Sequence, residues 1–225
     1  WRLTVVPSEG YFEVGSQNSL LILLSGICFT TLLAVFMVNR IRENIRISEI
    51  VEIRTQELEK LASFDPLTNL ANRRLFIDLF EKGIARAERS GIRIAIIYID
   101  LNDFKPVNDK LGHAAGDELL RQFGERISKT LRTHDTTARI GGDEFAILAD
   151  NLKDIEGCEA VLKRVLEGLK EPYDIFGNKL YVTASIGAAV YPYHAQTLDG
   201  LMAAADSAMY LAKRDKSRPY VIFAE

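Results

Sequence analysis

Arg139 to Ile147 reads Arg-Ile-Gly-Gly-Asp-Glu-Phe-Ala-Ile, two apolar-alternating arms around a Gly-Gly pair followed at once by two acids. A tight hairpin turn needs positive φ, which glycine supplies without steric cost. The stretch therefore predicts a β-hairpin turning at Gly141-Gly142, with Asp143 beginning the second arm. Carboxylates beside a glycine turn can approach a charged ligand that bulkier neighbours would block. A second acid cluster, Asp100-Leu101-Asn102-Asp103, follows the apolar run Arg93 to Ile99, which reads as a central strand. If the two strands are neighbours, Asp100 and Asp143 converge at one edge of the sheet. Hard oxygen ligands there suit Mg²⁺ carrying phosphates, and an ion so held can activate a hydroxyl and neutralise a phosphate in nucleotidyl transfer. A calcium loop is rejected, because Asp100-x-Asn102-x-Phe104 lacks the third oxygen ligand and the following glycine. The plain alternative makes Asp143 and Glu144 exposed turn acids and Asp103 a helix cap. Asp100 fits capping badly, since it closes a strand.

These acids need a scaffold. The chain has 225 residues, 48% of them hydrophobic, with a formal net charge of −3. That allows one well-cored domain plus a smaller appendage and gives no basic face for nucleic acid. Cys28 and Cys158 show neither metal-ligand spacing nor a disulfide framework. Asn72 can cap a helix running to about Ser90, with Leu75, Phe76, Leu79 and Phe80 on one face and Gly91 ending it. The pattern continues with a polar loop and short helix over 101–111, then a helix from about Ala115 to Leu131. The hairpin follows, then a helix near 155–170, a strand pair around 173–191, a helix over 198–214 and a last strand near 219–223. Helices interleaved with a hairpin-containing sheet make a mixed α/β domain.

From Ser16 to Asn39 no residue is charged, and Leu20 to Val38 is apolar all round. A bilayer-spanning helix needs about 20 such residues, so residues 19–39 are expected to cross a membrane. Arg40, Arg42 and Arg46 follow the span and only Arg2 precedes it, which points the bulk of the chain into the cytoplasm, anchored at the inner membrane. Residues 1–18 are then the last strand and exit of an external sensor region, and a chain starting at Trp1 is expected to be part of something longer. Residues 40–63 lack Pro and Gly, and Ile47, Val51, Leu58 and Leu61 fall near a heptad seam. That favours a helical, coiled-coil signalling linker over a solvated single helix. Asp65-Pro66 ends it.

Residues 63–223 resemble the GGDEF domain of diguanylate cyclases. Gly141-Gly142-Asp143-Glu144-Phe145 spells that signature. Around it stand Asp65-Pro66-Leu67-Thr68 with Asn72-Arg73-Arg74, Asp100-Leu101-Asn102-Asp103-Phe104-Lys105 with Asn108-Asp109, Gly112-His113, Gly116-Asp117, Ser185-Ile186-Gly187, Ala205-Asp206 and Met209-Tyr210 with Ala212-Lys213. The resemblance implies an α/β (α+β) fold with a central sheet like the nucleotidyl-cyclase and polymerase palm, flanked by helices, over residues 64–225. It implies condensation of two GTP into cyclic di-GMP with release of pyrophosphate, across a homodimer in which the 3′-hydroxyl of one GTP attacks the α-phosphate of the other. Mg²⁺ or Mn²⁺, two per active site, would be held by Asp100, the Leu101 carbonyl and Asp143, with Glu144 helping with metal or with the hydroxyl. Asn108 and Asp117 would read guanine with His113 nearby, and Lys105 and Lys213 would meet phosphates beside the Gly141-Gly142 turn. Arg132-x-x-Asp135, with Arg164 or Lys163 as a second cation, resembles the site where cyclic di-GMP inhibits its own synthesis. The sequence departs from the pattern at Asn69, at Asn102 and at Lys216-Ser217-Arg218-Pro219, where a phosphate-contacting arginine is either missing or supplied by Arg218.

Overall fold

The computed structural model describes residues 10–215 and 217–224, with side chains from residue 20 onward apart from residues 44 and 48–62. The chain divides into one compact unit ending at Leu58 and another beginning at Glu59. The first is helical: α1 runs unbroken from Gly10 to Ser63. Residues 10–18 are therefore helix rather than the expected strand, while residues 1–9 lie outside the described residues. Within α1, Leu20–Ile47 is long and apolar enough to cross a membrane: its most apolar 18-residue stretch has a mean hydropathy of 2.5 and no burial inside the protein. Of the seam residues, Ile47 is exposed, and the side chains of Val51, Leu58 and Leu61 lie outside those described.

The second unit is built on a six-stranded sheet of order β1-β3-β4-β2-β7-β8. Its strands are β1 (Ala71–Asn72), β2 (Arg93–Leu101), β3 (Thr136–Gly141), β4 (Glu144–Leu152), β7 (Ala184–Tyr191) and β8 (Tyr220–Ile222). β2 lies in the middle, antiparallel to both β4 and β7. The expected strand pair near 173–191 is three strands. β5 (Tyr173–Ile175) and β6 (Asn178–Leu180) form a separate small hairpin ahead of the long strand β7.

β2 is apolar on both faces because helices cover both. Ala95, Ile97, Ile99 and Leu101 point toward α4 (His113–Thr130) and α5 (Ile155–Leu169), where Leu119, Phe123 and Val161 complete the larger core. Ile94, Ile96 and Tyr98 point toward α2 (Arg73–Ser90) and α6 (Leu198–Arg214), against Phe76, Phe80 and Leu201. α2 has the expected ends: Asn72 accepts from the Leu75 amide, and Gly91 adopts φ 67° at its close. The short helix α3 (Phe104–Leu111) starts at Asp103, which takes a left-handed φ of 59° and makes no side-chain cap bond. The plain alternative for Asp103 is thus met in position only: it stands at the N-cap without capping through its side chain. α6 lies directly on β7 at Gly187, where an added Cβ would meet Met209 N at 2.0 Å and Ala205 O at 2.2 Å.

Candidate active site

The β3–β4 hairpin turns one residue later than the sequence suggested. Gly141 pairs with Glu144, so Gly142 and Asp143 form the turn and Glu144, not Asp143, opens the second arm. Gly142 takes φ 54°, and a Cβ on Gly141 or Gly142 would meet nothing within 4 Å, so the turn borders open space. Arg139 holds it from behind. Its Nε and Nη2 donate to the Gly142 carbonyl at 3.0 and 2.8 Å, and its Nη1 donates to both Asp65 oxygens at 3.1 and 3.2 Å. Asp65 also accepts from the Thr68 amide and hydroxyl. Burial pushes its carboxyl upward, but the Thr68 bonds and the Arg139 guanidinium outweigh that and hold it below the ordinary value.

The register of β2 with β4 sets Asp100 directly opposite Glu144, and the Asp143 carbonyl accepts from the Leu101 amide at 3.3 Å. Side chains alternate along a strand. Asp100 therefore shares the α2/α6 face with Tyr98, and Glu144 meets it there. α6 adds Lys213, whose Nζ donates to Asp100 Oδ1 at 2.7 Å. It also adds Asp206. Asp100, Glu144, Asp206 and Lys213 line one open cavity of about 680 Å³. Burial, followed by the charges of Asp100, Asp143 and Asp206, raises the Glu144 carboxyl above its ordinary value against the opposing pull of Lys213. Burial likewise pushes the Tyr98 phenol up to about 12. The Asp100 hydrogen bond raises the Lys213 ammonium.

No three His, Cys, Asp or Glu side chains among the described residues converge as a ready-made metal cage. The donor set nevertheless fits a hard cation: Asp100 is buried, its cross-strand partner is a carboxylate, and an ammonium already rests on its oxygen. Lys213, expected to meet phosphate, is in this structure a partner of Asp100. It also borders a second cavity of about 490 Å³ with Asn102, Asp103, Ser185 and Arg218. Asn102 is tied there by Ser185 Oγ at 2.8 Å and to Thr183 Oγ1 at 3.0 Å. Its neutral amide thus both donates and accepts, which an acid at that position could not do.

The remaining expected residues form two further groups. Asn108 packs on Gly116, where an added Cβ would lie 1.9 Å from Asn108 Oδ1, and Asp117 is the next residue of α4. His113 is exposed at the start of α4 and Lys105 in the first turn of α3. The third group lies at the base of β3. The Arg132 amide donates to Asp135 Oδ2 at 3.0 Å, and Arg164 Nη2 stands 3.6 Å from the same oxygen. Lys163 instead pairs with Glu159. Asp150 on β4 donates its amide to Asp135 Oδ1 at 3.2 Å, and its carboxylate pairs with Arg86.

Comparison with known proteins decides the kinship. The family profile described as diguanylate cyclase, GGDEF domain, matches residues 62–219. The chain belongs to the GGDEF family. Its GGDEF domain is 40% identical over 168 residues to the bifunctional diguanylate cyclase/cyclic di-GMP phosphodiesterase MucR of Pseudomonas aeruginosa, covering 75% of this chain and 24% of that protein. It is 38% identical over 154 residues to the diguanylate cyclase TpbB of the same species, covering 68% of this chain and 35% of TpbB. The crystal structure of the TpbB GGDEF domain superposes with a TM-score of 0.68 at 35% identity, over 70% of this chain and 99% of that one. The coiled coil and GGDEF domain of DgcB from Caulobacter crescentus, solved with c-di-GMP, gives a TM-score of 0.74 at 26% identity, over 84% and 99% of the two chains. This chain spans about a quarter to a third of the length of the curated relatives named here.

Asp206 and Tyr98 join the site without a role that their sequence pattern implies. The spacing of Asp206 to Lys213 was a usable signal, because seven residues on a helix return to the same face. The contact of Asp65 with Arg139 spans 74 residues, and no local pattern announces it.

Proposed function

We propose that this chain is a membrane-anchored diguanylate cyclase that joins two GTP into cyclic di-GMP and releases pyrophosphate. The observation that carries the reading is the pairing of Asp100 with Glu144 across β2 and β4, with Asp143 in the adjoining turn and Lys213 on Asp100. In this proposal Asp100, the Leu101 carbonyl and Asp143 hold Mg²⁺ or Mn²⁺, two per site, and Glu144 assists with metal or takes up the hydroxyl proton. The metal supplies charge neutralisation at the phosphates and a more acidic attacking hydroxyl. Lys213 and Arg218, which share a cavity, face the phosphates with fixed positive charge. Arg218 thereby takes the place of the arginine that Lys216-Ser217-Arg218-Pro219 displaces. Lys105 adds charge from α3. Asn108 and Asp117 read guanine, with His113 at the rim, since a carboxylate can accept from N1–H and the exocyclic amine together. An acid at that position favours guanine over adenine.

One domain holds one GTP, so condensation requires a homodimer whose two sites face each other, the 3′-oxygen of one GTP bonding to the α-phosphorus of the other. Arg132, Asp135 and Arg164 form the product-inhibition site for cyclic di-GMP. Residues 19–39 cross the inner membrane, residues 40–63 relay the signal and the GGDEF domain lies in the cytoplasm.

The test is incubation of the full chain with GTP and Mg²⁺, followed by detection of cyclic di-GMP and pyrophosphate, with Asp143→Ala as control. A second reading, a GGDEF module that binds GTP or cyclic di-GMP without turnover, draws on the altered segment after Lys213 and on relatives named as cyclic di-GMP phosphodiesterases. Silence of both wild type and Asp143→Ala, with both binding GTP as dimers, would select it.

A further inference from the structure

A third cavity, of about 660 Å³, is lined by none of the residues assigned above to metal, guanine or phosphate. It lies between α3 and the small β5–β6 hairpin. Pro106, Val107 and Leu111 form one wall, and Leu180, Tyr181 and Val182 the other. Both walls are fixed before any ligand arrives. Tyr173 and Ile175 of the hairpin are fully buried, and Gln122 on α4 donates to the Asp174 carbonyl at 2.8 Å. The Asn102 amide donates to the Thr183 carbonyl at 2.9 Å, which joins the two walls through the turn ahead of α3. Preformed, apolar-walled clefts of this size with a few convergent charges suit small molecules.

Lys110 and Lys179 reach the same cavity. Lys129, Lys163, Lys170 and Lys213 each pair with an acid, whereas among the described residues Lys110 and Lys179 pair with none. Asp103 is the one acid of the lining, so a single positive charge is left over. Tyr181 is 78% exposed and Leu111 40%. Among the described residues, no ring or guanidinium stacks on the Tyr181 phenol. Apolar side chains held in water at the mouth of such a cleft are stabilised when a ligand covers them. An aromatic ring does so best against Tyr181, and one anionic group answers the lysines. We infer that this cavity binds a small aromatic carboxylate and that its occupancy opposes GTP. The antagonism follows from a shared wall: Asn102, Asp103 and Thr183 also line the cavity that holds Lys213 and Arg218. An anion in one compartment repels a triphosphate in the other. That part rests on the reading that Lys213 and Arg218 face the phosphates.

The probe is 4-(trifluoromethyl)benzoate, followed by its fluorine resonance with the full chain in detergent and with empty micelles as blank. Broadening beyond the blank is expected, with a Kd of about 1 mM for a ligand of this size. The neutral 4-(trifluoromethyl)benzamide should bind about tenfold more weakly, and so should the benzoate to Lys110→Ala/Lys179→Ala. Tyr181→Ala should weaken acid and amide alike. All three side chains are exposed, so the variants keep the fold. No broadening beyond the blank, equal binding of acid and amide, or undiminished affinity in the lysine variant overturns the inference. Saturating benzoate should raise the Kd for GTP about two- to threefold, and GTP should weaken benzoate by the same factor. The lysine variant should lose this effect. Unchanged GTP affinity with the probe bound also overturns the inference. A chain that binds no GTP at all fails the reading of the phosphate cavity, and the benzoate titration then tests the site by itself.

Discussion

Lys213 Nζ rests 2.7 Å from Asp100 Oδ1, at the carboxylate the proposed reaction needs for metal. The ammonium and a divalent cation are therefore rivals for the same oxygen. Lys213→Met should bind Mn²⁺ several-fold more tightly in the absence of nucleotide. The effect is held to that size because the lysine side chain is half exposed. The same variant should form cyclic di-GMP about a hundredfold more slowly, since a phosphate loses its fixed charge. Paramagnetic resonance of Mn²⁺ reads the first effect and product chromatography the second. Equal Mn²⁺ affinity in wild type and variant would dismiss the rivalry.

Asp65 and Arg139 give a pH dependence with a definite sign. The folded-state value of Asp65 lies below the ordinary 3.8. Its contribution to stability is therefore fully present above 3.8 and is lost as pH falls through the lower folded value. Asp65→Asn should cost about 2 kcal/mol near neutrality, because it strips a mostly buried arginine of its partner. The difference in urea midpoint between wild type and variant should shrink below about pH 3.8. A gap of constant size across that window would detach the carboxylate's charge from the effect.

Two glycines predict opposite failures. Gly187→Ala sets a methyl against the Met209 and Ala205 backbone, which cannot move without shifting α6. It should lower stability by about 3 kcal/mol and reduce turnover, since Asp206 and Lys213 ride on that helix. Gly116→Ala meets chiefly the Asn108 side chain, which can swing aside. It should leave the thermal midpoint near wild type and raise KM for GTP. Calorimetry and steady-state kinetics on the pair separate the outcomes, and matched losses of stability would contradict the distinction.

Arg218→Ala tests the replacement arginine. Arg218 borders the cavity of Lys213 while its Nε lies 3.4 Å from the exposed Asp215. Loss of its charge should raise KM for GTP by about tenfold, with little change in unfolding. An unaltered KM would leave the polyphosphate to Lys213 and Lys105.

The helices and the central strand were legible because their signals are local. Asn72 and Gly91 bracket α2, and the apolar run at Arg93–Ile99 needs cover on both faces. The neighbourhood of β2 and β4 was expected from chemistry, and the register supplies it. The sequence puts the turn one residue early, because a Gly-Gly pair offers positive φ at either position and only cross-strand pairing selects Gly142. In the sequence the small β5–β6 hairpin runs together with β7, since three-residue strands carry too little alternation to read. The Lys213 contact with Asp100 and the Asp135 network were not legible, because each joins elements distant in sequence through side-chain geometry alone.

The alignment of β2 with β4 leaves no tolerance for sliding. Were β4 to shift by a single residue, Glu144 would face the α4 side and Phe145 would stand across from Asp100. A chain with every helix formed but that pair of strands misaligned would look folded by circular dichroism and still be inert, so synthesis of product would report correct β-registration more stringently than helix content does.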